Sequence, residues 1–486
     1  MVKQFLEDLE RFYPVILNLI KDGNIKKEWL ADLYNIFNME DSPYITPLKF
    51  HLYSLLVHHP EFLDYKLLSE KLNLSEDEIY EIFVKGKQAF EVYFPVYLPD
   101  EEEAHLYKAL IVEGTSKTFT FNKFVDLQTI KAAANKDFFV IFSNYFTGDS
   151  YQFSIVAGLI AKDKNILKNL AFTGKVSSSG KILPVNHVNE KEKITKANEK
   201  NLITPDDIST LEELEFWLNS SQIPVILLNR NTDNNIKESL HQIETLIKQD
   251  CPYFTIKNLI KFYNLSEEDL YIITPSIDFS NREELLNILR KFEERLEKLF
   301  SVRNSILYIS LSVASLGFLV GSLIGARKKV VILHYQGEYR KAIDMSKDPR
   351  VIKENVKEYS IIQPESCNTD QEIALILNIA SHNPVNSAKS YIEKNLPHVK
   401  STCVINTIYG GNIPLEEFLT ISRELYTYIN TIKDKIHLFY SIPVPISISL
   451  GMAIAHFKDI TLYHYDSKNT TYIKIPINLN EVISKF

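Results

Sequence analysis

The sequence predicts a multidomain α/β protein: a helical N-terminal module, a central α+β domain, and a C-terminal domain of two fused Rossmann-type halves. Three observations carry this. The chain has 486 residues, too many for one ordinary core. Apolar side chains recur at helical spacing over residues 1–95, and short β-like runs alternate with helical stretches after them. The last third of the chain matches itself at an offset that lays His334-Tyr335 on His464-Tyr465.

The helical module is assigned to residues 1–98. "LEDLERFYPVILNLI" has amphipathic spacing, and a capping box, Ser75 to Glu78, opens "SEDEIYEIFVKGKQAF". The acidic "PDEEEAH" (99–105) marks a boundary. The central domain is assigned to 99–230, where "FFVIF" and "PVILLN" read as strands among helices. "NRNTDNN" (229–235) reads as a polar break, followed by a helical linker over 231–265. The C-terminal domain takes 266–486, with halves at about 266–350 and 400–486.

In the repeat, residues 306–335 lie on 436–465, matching Gly321 with Gly451 and Lys328 with Lys458. Each copy follows a short strand, "LYIIT" or "CVINT", and an amphipathic helix, which gives a parallel strand-helix alternation. Residues 305–326 carry no charge over 22 positions and space Gly317, Gly321 and Gly325 as GxxxGxxxG, so a membrane span is an alternative reading. The second copy has Pro443 and Pro445 in the equivalent run, which ends at His456. That favours a strand-to-helix turn.

Composition narrows the function. Hydrophobic residues make up 45% of the chain and the net charge is −8 with both signs dispersed, which argues against a reader of duplex nucleic acid. A small anion held by backbone amides stays open. The three cysteines, Cys251, Cys367 and Cys403, show no CxxC spacing and suggest neither a disulfide framework nor a zinc site. No metal or cofactor is expected, and a reducing, cytoplasmic setting is. The N-terminus is charged and amphipathic, unlike a signal peptide.

Ser150 poses the sharpest question. It precedes an apolar run, "YQFSIVAGLIA", where a serine is ordinarily a helix N-cap. Downstream come "FTGKVSSSGKILPV" (172–185) and "NHVNEKEKITKANEK" (186–200). With Thr173, Gly174, Gly180, Leu183 and Pro184 in register, residues 101–228 resemble the proteolytic domain of the Lon family. The resemblance implies that Ser150 is the nucleophile and that a lysine is its base, since a buried amine loses its proton at lower pH. Lys191 is the first choice, Lys193 the alternative. The family's paired glycines are replaced by Asn186-His187, a departure that leaves room for a fold without activity. No G-x-x-x-x-G-K-[ST] run occurs, so ATP-driven unfolding is not expected.

The doubled C-terminal domain resembles SAVED domains, fusions of two CARF-like halves that sense cyclic oligonucleotides. Position in such a fold suggests Thr274, Pro275, Ser276, Ser310, Ser312, Asn406, Tyr409, Gly410, Gly411, Ser441 and Pro443 as ligand-binding, with Tyr335 and Tyr465 placed to stack on bases. The order of domains resembles CRISPR-associated Lon proteases fused to SAVED. That implies an ATP-independent Ser-Lys endopeptidase in type III CRISPR antiviral signalling, activated by a cyclic oligoadenylate, the tetra-adenylate first. It also implies ligand-induced homo-oligomers through SAVED and a dedicated protein substrate, such as a toxin-like anti-sigma protein. The alternative is a non-catalytic or membrane-anchored signalling scaffold.

Overall fold

A computed structural model describes residues 2–454, 458–482 and 486; His456 lies outside them. The chain divides into two units, Met1–Ser220 with Ile260–Asn264, and Ser221–Leu259 with Leu265–Phe486.

The first unit opens with helices α1 (Val2–Glu7), α2 (Leu9–Lys21), α3 (Leu30–Tyr34), α4 (Ile45–His58), α5 (Tyr65–Leu72) and α6 (Glu76–Phe83). Ser75 and Glu78 form the expected capping box of α6. A sheet follows, of β1 (Phe90–Leu98), β2 (Glu103–Glu113), β3 (Phe119–Thr120) and β4 (Phe138–Phe142) in the order β1-β2-β4-β3. Every side chain of β4 is buried, as a five-residue apolar run in a covered strand should be. Phe139 and Ile141 join the core built by the helices, while Phe142 meets Phe146 and Tyr151 edge-on. The expected separate module over 1–98 is therefore corrected. Its last nine residues are β1, and its helices share one core with the sheet. The α4 helix is buried nearly all round, and its Lys49 pairs with Asp41 at 3.1 Å and donates to the Phe121 carbonyl at 2.8 Å.

After α7 (Gln128–Ala134) and β4 come α8 (Gln152–Ile160), β5 (Leu170–Phe172), β6 (Lys175–Val176), β7 (Ile182–Leu183), α9 (Val188–Ala197), β8 (Asn201–Ile203) and α10 (Leu211–Asn219). β5 pairs parallel with β8, and β6 with β7 as a hairpin.

The second unit begins a strand earlier than expected. β9 (Ile223–Arg230), assigned above to the central domain, pairs with β10 (Tyr271–Ile273) and β11 (Ser305–Ser310). The expected linker over 231–265 holds α11 (Ile236–Lys248) and α12 (Ile256–Tyr263), which lie in the crossover joining β9 to its parallel neighbour β10. Then α13 (Arg282–Ser301), α14 (Ala314–Ile324), β12 (Val330–Tyr335) and β13 (Tyr339–Asp344) complete a sheet ordered β10-β9-β11-β12-β13. The second half repeats it. β14 (Ile362–Pro364) edges a sheet of β15 (Ile373–Asn378), β16 (Ser401–Thr407), β17 (Ile436–Ser441), β18 (Ile460–Asp466) and β19 (Thr471–Lys474), ordered β14-β16-β15-β17-β18-β19. Its helices are α15 (Val385–Asn395), α16 (Phe418–Thr431) and α17 (Val444–Ile454).

The charge-free stretch 305–326 is thus a strand, a turn and an 11-residue helix, and no helix among the described residues is long and apolar enough to cross a membrane. The glycines serve packing instead. A Cβ at Gly321 would stand 2.2 Å from the Ile448 carbonyl oxygen, and one at Gly451 2.3 Å from that of Phe318. Because these are equivalent positions of the repeat, α14 and α17 cross about a local two-fold axis. A second correction concerns the cysteines. Cys367 and Cys403 form a disulfide, with Cα atoms 5.6 Å apart, leaving Cys251 free. No spacing motif could announce it, because the sheet order, not the sequence separation, brings them together. The expectation of a reducing compartment loses its support from unpaired cysteines.

Candidate functional site

Two sites are built, one in each unit. In the first, the N-cap of α8 is Tyr151 and no side chain caps the helix, so Ser150 does not serve as the cap. Ser150 is half-buried ahead of the helix, and its carbonyl accepts from the Gly174 N–H at 3.1 Å. Gly174 in turn accepts from the Phe153 N–H at 3.1 Å. A Cβ at position 174 would meet Ile182 at 3.0 Å and Phe153 at 3.2 Å, which explains the glycine of the Thr-Gly pair. Gly180 turns the β6–β7 hairpin at φ +79°.

Thr173, fully buried, links the other partner. Lys191 donates from Nζ to Thr173 Oγ1 at 3.3 Å. Lys191 is 4% exposed, and among the described residues no carboxylate pairs with it. Burial alone pulls its amine down to about 8. Lys193 is exposed on the outer face of α9. Ser150 and Lys191 thus flank one dipeptide, Thr173-Gly174, whose Cα atoms are about 3.8 Å apart as in any trans peptide.

The departure from paired glycines has a structural answer. His187 stands at φ +59°, a left-handed conformation that a glycine adopts freely, and its ring stacks on Tyr97 at 3.8 Å with planes 4° apart. Its carbonyl accepts from the Lys191 N–H at 3.1 Å, so the stack steadies the turn that carries Lys191.

In the second unit the parallel strands of both sheets share one order, in which the second in sequence lies outside the first and the third lies on its other side. Ligands of such folds bind beyond the carboxyl ends of the first and third strands, where the winding reverses. In the first half those strands are β9 and β11, and a cleft of about 610 Å³ opens there, lined among others by Arg230, Ser310, Ser312, His334 and Tyr335. Asn229, 1% exposed, ties the strand ends together. Its amide nitrogen donates to the Ile272 carbonyl and Thr274 Oγ1, both at 3.0 Å, and its oxygen accepts from Ser312 Oγ at 2.7 Å. Arg230 lies 4.9 Å over the exposed Tyr335 ring and donates to Ser239 at 2.8 Å, while its buried Nε has no partner. Burial holds the His334 imidazole below its usual range. Val444 and Pro445 of the second half complete the wall.

The residues suggested by sequence divide accordingly. Ser310 and Ser312 line this cleft. Thr274, Pro275 and Ser276 line a separate depression beside α13. Ser441 and Pro443 sit at the switch point of the second half, where Ser441 accepts from the Ile379 and Ala380 N–H groups. Asn406 accepts from Asn378 at 2.7 Å, and Tyr409, Gly410 and Gly411 form the turn after β16. These second-half residues line neither of the two cavities. Asn229, Arg230 and the loop after them were missed because β9 was assigned to the domain before. The signal lay in "VILLN" and "LILN", two apolar strands each ending in asparagine, Asn229 and Asn378.

A duplicated, doubly wound domain with a polar cleft at its switch point has the place where such folds hold a small ligand. Residues 288–475 match the SAVED family, described as a SMODS-associated sensor domain fused to various effectors, and the chain carries a SAVED domain there. No curated protein sequence matches the chain. Among solved structures, the Acinetobacter baumannii Cap4 SAVED/CARF-domain containing receptor with the cyclic trinucleotide 3'3'3'-cAAA is 16% identical over 41% of this chain and 44% of its own, at a TM-score of 0.32. With 2'3'3'-cAAA the values are 14%, 56%, 54% and 0.36. The Moraxella osloensis Cap4 receptor is 12% identical over 59% of this chain and 70% of its own, at 0.32. This chain spans about half the length of the first two.

Proposed function

We propose that the chain is a Ser-Lys endopeptidase controlled by a cyclic oligoadenylate, the tetra-adenylate first, bound to its SAVED domain. The observation that carries the catalytic part is a buried lysine without a carboxylate partner, hydrogen-bonded to the residue beside Gly174, whose N–H holds Ser150. A lysine can serve as the base of a serine when burial lowers its pKa enough to free part of the amine near neutral pH, and a value of about 8 does so. Ser150 Oγ attacks the peptide carbonyl carbon as its proton passes to Lys191 Nζ. The C–N bond then breaks, and Lys191 returns that proton to the leaving amine. Water then attacks the acyl carbon as Lys191 Nζ takes its proton, the ester C–O bond breaks, and Lys191 passes that proton to Ser150 Oγ. The Gln152 and Phe153 N–H groups already donate to Asp149 and Gly174, so the donors for the oxyanion are sought at the residues before them.

For the sensor, the unpartnered Nε of Arg230 supplies a charge-assisted donor for phosphate, and the exposed Tyr335 ring offers a face for a base. Assembly of SAVED domains on the ligand would bring protease units together to cut a dedicated partner protein in antiviral signalling. The loss of the paired glycines, the main ground for a non-catalytic scaffold, is partly offset because His187 adopts a left-handed conformation that glycine also reaches freely.

The test pairs titration calorimetry with light scattering, using cyclic tri- and tetra-adenylate on the full chain and on Ser150→Ala. Ligand binding with a rise in mass in both proteins supports the sensor. Absence of binding by either ring refutes it.

A further inference from the structure

Among the described residues, Glu372, His398 and His437 bring metal-ligating atoms within 4.8 Å of one another. Glu372 stands just ahead of β15, His398 on the turn between α15 and β16, and His437 second in β17. They gather at the amino ends of the second sheet's parallel strands, at the opposite pole from the carboxyl ends where ligands of this fold bind. Neither their spacing nor any cysteine announces them. The sheet order, which sets β15 between β16 and β17, makes them neighbours.

His437 is 3% exposed and held in one orientation. Its Nδ1 lies 2.9 Å from the Tyr463 hydroxyl and its Nε2 2.8 Å from Glu372 Oε1. An outer hydrogen bond on one ring nitrogen fixes where the other points, the part such partners play for metal-ligating histidines. His398 Nε2 lies 3.9 Å from the same Oε1. Ligand atoms of a tetrahedral site with bonds of about 2.1 Å stand roughly 3.4 Å apart, so a shift of up to about 1.4 Å by an exposed turn completes the set. Lys435 Nζ, 4.0 Å from Glu372 Oε1, belongs to a flexible, partly exposed side chain that can withdraw to solvent.

We propose that Glu372, His398 and His437 bind a zinc ion that ties β15, β17 and the turn before β16 together. Two imidazoles and one carboxylate suit a borderline divalent ion over magnesium or calcium, and three protein ligands leave the fourth position to water.

The untagged full chain is dialysed against zinc and its metal content measured, alongside His398→Ala and Glu372→Gln. Cobalt is the spectroscopic probe. The expected result is one zinc per wild-type chain, at least a tenfold loss of affinity in both variants, and visible d–d bands of four- or five-coordinate cobalt in the wild type alone. Because His398 is exposed, His398→Ala should keep the wild-type circular dichroism. A wild-type chain that retains no zinc, or a His398→Ala chain that retains as much as wild type, overturns the proposal.

Discussion

Replacing Lys191 with methionine removes the amine but keeps an unbranched side chain. Burial holds that amine at about 8, against 10.5 for an unburied lysine. A difference of about 2.5 pH units at ~1.4 kcal/mol each puts the cost of the buried charge near pH 7 at up to about 3.4 kcal/mol. Loss of the hydrogen bond to Thr173 returns about 1 kcal/mol of that. Lys191→Met should therefore stabilise the first unit by about 2 kcal/mol at pH 7, while lowering peptidase activity by roughly 10²–10⁴-fold. The sign with pH follows from proton counts. Between pH 8 and 10.5 the unfolded chain holds the lysine proton and the folded one does not, so wild-type stability rises across that window. The advantage of the variant should shrink accordingly above pH 8. Both tryptophans, Trp29 and Trp217, belong to the first unit, so their fluorescence during urea unfolding at pH 7 and 9.5 reads this directly. A variant that is less stable than wild type at pH 7, or that shows the same rise with pH, refutes the assignment of Lys191 as a buried, uncompensated base.

Other perturbations have equally definite outcomes. Ser150→Ala should abolish cleavage and leave cyclic-oligoadenylate binding within twofold of wild type by calorimetry. Arg230→Met should weaken that binding by at least about tenfold, the scale of one charge-assisted hydrogen bond, and leave the pH dependence of any basal peptidase activity untouched. Gly451→Val must push the Phe318 carbonyl away and should cost at least about 3 kcal/mol, seen as a lower Tm for the second unit. Alkylation of the denatured, unreduced chain should modify Cys251 alone, with Cys367 and Cys403 joining after reduction.

What could be read from sequence is what the backbone demands locally. The repeat showed because α14 and α17 must cross within touching distance, which fixes Gly321 and Gly451 at equivalent places. The Thr-Gly and the later Gly180 showed for the same reason, each answering a close approach or a turn. The first strand of each half did not show. α11 and α12 make the first crossover longer than α15 makes the second, so Asn229 and Asn378 fall outside the repeat's single offset. Sequence ranked Lys191 before Lys193 only through the family resemblance, since both stand in one charged triplet. The packing of α9 adds a physical difference, since it buries Lys191 and Thr195 on one face and leaves Lys193 exposed. The helical start of the chain was legible as helix, but its sharing of a core with β4 was not, because that depends on which face of "FFVIF" each partner covers.

The most direct measurement is labelling of Ser150, the proposed nucleophile. The full chain is incubated with a fluorophosphonate, with and without cyclic tetra-adenylate, and the adduct is located by peptide mass spectrometry. An adduct on Ser150 is expected to form faster with the ligand and faster as pH rises through about 8, following the Lys191 amine. Labelling that persists in Ser150→Ala, or that proceeds at one rate with and without the ligand, would contradict it.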